Sequence, residues 1–266
     1  MLAFVHHLWR HRLLLWQFVV RGVELRHRGS HLGLAWSILN PILMLGLYVF
    51  VFGYIFGGSF KVLPDESRLD YALAIFLGLS IFHFFSEVLT TTPSVIVSNP
   101  NFVKKVVFPL EILPAANVGV SLIHFGISLA LVLLGVALFG PGLSTRLVWL
   151  PLIIVSQVLL ALGCGWIFAA LGVFFRDILQ MVGFVSMTLM FSSAIFYPAS
   201  SIPPSAWQFL QFNPVLLAVE QARDVIMWDR PVNLFYLTYL SLTGIFASIG
   251  GYWWFRKTAP FFADVV

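Results

Sequence analysis

The chain has 266 residues, 60% of them hydrophobic and only 10% charged, with a formal net charge of +4. A water-soluble domain carries about 25% charged residues, and at a mean hydropathy of +0.95 this chain lacks the polar side chains to cover a water-exposed surface. Disordered, collagen-like and disulfide-framework proteins are excluded by the 16% aromatic content, by 20 glycines without a fixed period and by the single cysteine, Cys164. An all-α integral membrane protein remains, its basic balance reflecting Lys and Arg in cytoplasmic loops rather than affinity for nucleic acid.

Residues 1–32 alternate apolar side chains (Trp9, Leu13, Trp16, Val20) with Arg10, Arg12, Arg21, Arg26, Arg28 and several histidines. That pattern predicts an amphipathic helix in the inner membrane interface, its arginines toward lipid headgroups, acting as a plain anchor or as a mechanical part. No cleavable signal peptide is expected. The first span is predicted over 33–57, and Pro41 after Asn40 either starts the helix, with Asn40 as N-cap, or kinks it. Tyr48, Phe52 and Phe56 follow at a spacing of four along one face. The second span, 71–93, carries His83 and Glu87 on one face. An intramembrane carboxylate is costly, so Glu87 should meet protein or water: a hydrophilic lining or proton relay, a bond to a neighbouring helix, or a reach to the interface.

The loop 99–109 is bounded by Pro100 and Pro109 and exposes Lys104 and Lys105 beside Phe102, Val103 and Phe108, the profile of a short helix that docks into another protein's groove. Spans follow at 112–139, 149–174 and 178–197, the last carrying Phe184, Phe191, Phe196 and Tyr197. Between 198 and 228, apolar pieces broken by Pro198, Pro203, Pro204 and Pro214 are too short to cross, and read as reentrant helices dipping into the outer leaflet. The sixth span, 234–255, ends in an aromatic belt and then Arg256-Lys257, leaving 258–266 as a cytoplasmic tail. The six-span domain thus covers 33–257.

Of the 15 Lys and Arg residues, ten fall in 1–32, 94–111, 175–177 and 256–266 and five in the opposite loops, which places both termini in the cytoplasm. No phosphate-binding Gly-x-x-x-x-Gly-Lys motif, metal-ligand cluster or catalytic constellation is present in the sequence, so no catalytic residue, metal or cofactor is assigned to this chain. Aromatic side chains along a path would suit sugar rings without requiring one hydroxyl pattern.

Four pieces then resemble one family in order. Arg26-His27-Arg28-Gly29-Ser30-His31-Leu32-Gly33-Leu34-Ala35-Trp36 with Asn40-Pro41 is similar to the start of the first span in type-2 ABC exporter permeases for polysaccharides. So are Asn99-Pro100-Asn101-Phe102-Val103-Lys104-Lys105 with Phe108-Pro109, Phe175-Arg176-Asp177, and Asn213-Pro214 with Glu220 and Arg223-Asp224. The resemblance runs to the O-antigen and teichoic-acid exporters, with capsule exporters further off. It implies a homodimer of six-span subunits in the inner membrane, each paired with a separate ABC ATPase that holds ATP and Mg. It further implies an entrance gate at Arg21, Arg26, Arg28, Gly29, Ser30 and Trp36. The coupling residues would be Asn99, Pro100, Asn101, Lys104, Lys105, Phe108 and Pro109. A lipid-linked glycan would pass Tyr48, Phe52, Phe56, His83, Glu87, Phe184, Phe191 and Tyr197. Other substrates for such an exporter are a capsule or teichoic-acid polymer, or a drug or small lipid; a membrane enzyme on lipid-linked sugars and a stand-alone channel are rival classes.

Overall fold

The computed structural model describes residues 3–26, 31–62, 66–104, 108–140 and 142–265. Arg28, Gly29 and Ser30 of the expected gate and Lys105 of the expected coupling loop lie outside the described residues. Every regular element described is helical. Near the N-terminus come α1 (Ala3–Arg10), α2 (Arg12–Arg26) and α3 (Trp36–Tyr48), the last running on into a wider π-helical stretch, Val49–Phe56. Then follow α4 (Arg68–Val95), α5 (Pro100–Lys104), α6 (Ile112–Phe139), α7 (Leu150–Phe174) and α8 (Ile178–Ser192). The chain finishes with α9 (Pro204–Leu210), α10 (Pro214–Ile226), α11 (Leu234–Thr258) and α12 (Phe262–Val265).

Five of these stretches are long and apolar enough to cross a membrane: Trp36–Phe56, Arg68–Val95, Ile112–Phe139, Thr145–Phe174 and Leu234–Val265. The segment expected as the fifth span, 178–197, is an apolar helix of 15 residues, Ile178–Ser192. At 1.5 Å per residue it reaches about 22 Å, short of the roughly 30 Å hydrocarbon layer. Its last five residues leave the helix, and Ala194 takes a left-handed φ of 51°. The N-cap expectation at Asn40 is corrected: α3 starts at Trp36 and Pro41 lies inside it, because Trp36 to Asn40 already follow helical geometry behind Ala35.

α4 is the axis of the fold, with most of its length buried between α3, α6, α7, α8 and α10. Its start is fixed locally. Ser67 Oγ accepts the Asp70 N–H at 3.1 Å while the Asp70 carboxylate accepts the Ser67 N–H at 3.0 Å, a reciprocal cap that satisfies two orphan donors. α7 and α11 form the tightest pair. A Cβ on Gly163 would lie 2.2 Å from the Ala247 backbone, so only glycine lets the two helices approach this closely, and the Ser156 and Ser241 hydroxyls meet across the seam at 2.9 Å.

The end of the bundle that carries the chain termini, here the basal end, is closed by one apolar cluster. Phe4, Ile96, Leu113, Trp166, Phe255 and Phe262 are its buried centre. Of the expected tail 258–266, residues 258–265 are therefore part of the fold: Phe262 is fully buried, with its ring against Phe255 and Phe174. The N-terminal segment is also docked. α2 lays Leu15, Phe18, Val19 and Val23 onto α6, where Val19 fits over Gly119, while Leu13, Trp16 and Leu25 stay exposed on its outer side.

Candidate functional site

Polar residues on two apolar helices face one another across a recess. On α4 they are Ser80, His83, Glu87, Thr90 and Thr91, and on α6 Asn117, Ser121, His124 and Ser128, each set at spacings of three, four and seven that keep it on one side of its helix. Arg26, from the last turn of α2, reaches between them. It is ion-paired with Glu87, and its Nη1 lies 2.8 Å from His124 Nδ1; His124 and Glu87 are 3.9 Å apart. α3 supplies the remaining wall through Trp36, Ser37, Asn40 and Tyr48.

The narrower part of this recess holds about 240 Å³ and an adjoining, wider part about 610 Å³. Both share Arg26, His83 and Glu87, so a polar route runs from the basal level of Thr90, Thr91 and Asn117 to the level of Tyr48. Glu87 thus combines two of its expected environments, a polar lining and a bond to a neighbouring helix. Trp36 and Arg26 of the expected gate line the narrower part, whereas Arg21 lies on the exposed side of α2, in a separate cleft beside Phe18 and Asn99.

Beyond the recess the walls turn aromatic. Tyr48 contacts Phe52 and Phe76, at centroid distances of 6.1 and 6.2 Å. Phe52 stacks on both Phe56 (5.7 Å) and Phe196 (5.6 Å), and Phe191 approaches Phe196 at 6.4 Å. Four of the expected path residues, Tyr48, Phe52, Phe56 and Phe191, are therefore joined in one cluster through Phe196. Tyr197 turns away: its hydroxyl donates to the Phe191 carbonyl at 2.6 Å and its ring packs with the buried residues of α10. Phe184 stands apart, 74% exposed on α8.

Arg223, fully buried on α10, holds this aromatic end in place. It donates from Nε to the Ala74 carbonyl (3.1 Å), from Nη1 to the Ala194 carbonyl (2.7 Å) and from Nη2 to the Ile195 carbonyl (2.6 Å), pairs with Glu220 at 3.1 Å, and lies 4.4 Å over the Phe60 ring. The chain can leave α8 at 193–197 because these bonds satisfy carbonyls that a helix would have paired. Burial pushes the Glu220 carboxyl up, with Arg223 acting against it, and pushes Asp224 up to about 6. Sequence reasoning noted Arg223 as part of a motif and missed this role; a charged residue amid apolar α10 neighbours was the available signal.

At the basal end Asn101 and Lys104 of α5 are exposed, and Asn99 Nδ2 donates to the Val95 carbonyl at 2.8 Å. Phe102 and Phe108 pack with their rings tilted by 32° at a centroid distance of 4.6 Å, and Phe18 of α2 contacts both, at 5.5 and 5.4 Å. Pro109 precedes the turn into α6, where buried Glu111 meets Arg256 of α11 (3.5 Å) and His7 of α1 (3.8 Å). Burial lowers the His7 pKa from its ordinary value while Glu111 acts to raise it. Sequence analysis did not single out Glu111, because nothing local distinguishes a loop carboxylate that side chains from two distant helices meet. Among the described residues no group of three His, Cys, Asp or Glu side chains could hold a metal ion.

The family model for the ABC-2 type transporter matches residues 14–227, which takes in the polar recess, the aromatic cluster, α5 and Arg223. The chain belongs to the ABC-2 type transporter family. As an ABC-2 family member with several membrane-length apolar helices it is a multi-pass membrane protein. It is 28% identical to the O-antigen export system permease protein RfbA of Klebsiella pneumoniae over 247 residues, 92% of either chain. It is 31% identical to the protein of the same name from Myxococcus xanthus over 219 residues, 81% of either chain. Similarity extends to the polysialic acid transport protein KpsM of Escherichia coli, at 27% identity over 238 residues, 88% of this chain and 90% of that one. The first two of these relatives are named export permeases and the third a transport protein.

Proposed function

We propose that this chain is the permease subunit of an ABC exporter that carries a lipid-linked polysaccharide, O-antigen foremost, across the inner membrane, with ATP and Mg bound by a separate ATPase chain. The observation that carries this is the end-to-end similarity to O-antigen export permeases of two organisms, over 81–92% of each chain. A polar recess that gives way to stacked aromatic rings supports it, since a glycan presents hydroxyls and apolar ring faces together. The similarity to KpsM favours a capsule polymer as the second reading.

In the proposed arrangement 1–32 forms the gate and 33–257 the transmembrane domain, with both termini cytoplasmic as the basic loops dictate. α8 crosses as a short fifth span of six, its last turn replaced by 193–197 with Arg223 pairing the carbonyls. α9 and α10 are the reentrant pieces of 198–228. α3 and α8 expose Leu43, Leu47, Phe50, Met181 and Phe184, which a second copy would cover in a homodimer. The ATPase docks on 99–109. Its thrust at α5 passes through Phe102 and Phe108 to Phe18, and so to the gate helix that carries Arg21 and Arg26.

Deletion of the gene in its host, with plasmid complementation, tests the function. Loss of long-chain surface glycan, with lipid-linked polymer accumulating inside the cell, is expected. Unchanged surface glycan would overturn the polysaccharide assignment and move a drug or small lipid to the front.

A further inference from the structure

The narrower part of the recess between α3, α4 and α6 has a definite chemistry. Its lining interleaves the aromatic rings of Tyr48, Phe76 and Phe84 with the hydroxyl and amide groups of Asn40, Ser80 and Ser128. Ser80 and Ser128 donate their hydroxyl hydrogens to the carbonyls one turn back, Phe76 and His124, which leaves their oxygens to accept from a ligand. Asn40 offers both donors and an acceptor. The narrower part, about 240 Å³, falls below the range of about 300–1,000 Å³ usual for drug-sized ligands, so it suits a single ring, and the adjoining part of about 610 Å³ leaves room for the rest of a chain.

Charge narrows the ligand further. Among the described residues the recess holds one arginine and one carboxylate, Arg26 and Glu87, and they are partners, with His124 against the same guanidinium nitrogen. A phosphate or a uronic carboxylate approaching the other Arg26 nitrogens would share one guanidinium with Glu87, so like-charge repulsion from that carboxylate opposes its entry. An uncharged ligand faces no such penalty.

We infer that this recess, inside a single subunit, is a binding site for one uncharged sugar ring, and that the Arg26–Glu87 pair makes it select against acidic sugars and phosphate. The inference rests on the polysaccharide reading and adds to it a subsite and a charge preference. It also adds to the part expected of Arg26 at the entrance gate: the residue closes the floor of a neutral site. Exchanging Glu87 for Gln would release Arg26 and reverse the preference.

The test uses the permease with its co-purified ATPase in lipid nanodiscs. Cys164 is replaced by Ala and a reporter thiol introduced as Ser128→Cys on α6, with Asn40→Cys on α3 as an independent second reporter should the first fail to fold. Labelling by a water-soluble maleimide is followed with a neutral methyl glycoside, the corresponding methyl glucuronide, or inorganic phosphate as probe. At five times its dissociation constant the neutral glycoside should slow labelling about sixfold, since the unoccupied fraction falls as 1/(1 + [L]/Kd). The glucuronide and phosphate should leave it unchanged, and adding Glu87→Gln should make the glucuronide protective. Protection by glucuronide or phosphate equal to that by the glycoside, or by no probe with either reporter, overturns the inference. Surface glycan in the deletion strain is read separately, so an unprotected recess in a working exporter refutes the subsite alone, and unchanged surface glycan refutes the exporter reading alone.

Discussion

Arg223 shows how one buried side chain sets the shape of a membrane element. Its three carbonyl partners belong to the start of α4 and to the unwound end of α8, elements that no local pattern brings together. Arg223→Ala strands those carbonyls and Glu220, at a cost of about 3–5 kcal/mol for breaking a buried pair, and should abolish the folded permease in a thermal unfolding assay. Arg223→Lys keeps the charge but not the planar fork, so it should recover part of the stability and little of the export. The neighbouring Asp224 gives a pH-dependent outcome. Its carboxyl ionises at about 6 in the folded protein, against an ordinary value near 3.8. The folded state therefore holds this proton more tightly than the unfolded chain does. Stability from this group is full below about pH 4, falls as pH rises, and is lost above about pH 6. Asp224→Asn should match wild type under acid conditions and show a higher unfolding midpoint near neutral pH; equal midpoints across the range would refute the assignment.

Among the helices, close approach and not length decides which pairs carry the fold. Gly163→Ala would put a methyl 2.2 Å from the Ala247 backbone, which has no rotamer to yield, so α7 and α11 should separate and the yield of monodisperse protein collapse. Gly46→Ala in exposed α3, where nothing lies within 4 Å, is the matched control and should be neutral or stabilising by up to about 1 kcal/mol. α5 behaves oppositely, since its exposed Lys104 contributes to no buried contact. Lys104→Glu should leave the unfolding midpoint unchanged while lowering ATPase co-purification or export, and full export with that change would remove α5 from the coupling role. The run of apolar and basic residues between two prolines in the loop 99–109 was legible in the sequence. Its aromatic link to Phe18 was not, since residues more than 80 positions apart meet only after α2 docks on α6.

At the scale of the whole molecule, α4 is buried nearly throughout while α3 and α8 present apolar side chains outward. Lipid can cover such a surface, and so can a second copy of the chain. A Phe184→Cys variant in the Cys164→Ala background should crosslink into a dimer in membranes if α8 lines the subunit seam; a monomer after oxidation would turn that face to lipid. The polar stripes of α4 and α6 were present in the sequence at helical spacing, and only Glu87 and His83 stood out there. Serine, threonine and asparagine are common in apolar spans as bonds to the preceding turn, so one stripe alone reads as ordinary.

Composition and hydropathy by themselves determined that this is a helical membrane protein, roughly where its long apolar helices run and that a nucleotide-binding loop is lacking, because those properties depend on local sequence and the demands of the bilayer. The tertiary structure alone decided that Glu87 pairs with Arg26 across 61 positions, that the tail around Phe262 belongs to the basal cluster, and that α8 ends early against Arg223. Each depends on which helices pack together, and the sequence of one helix does not state which of several apolar neighbours it will meet.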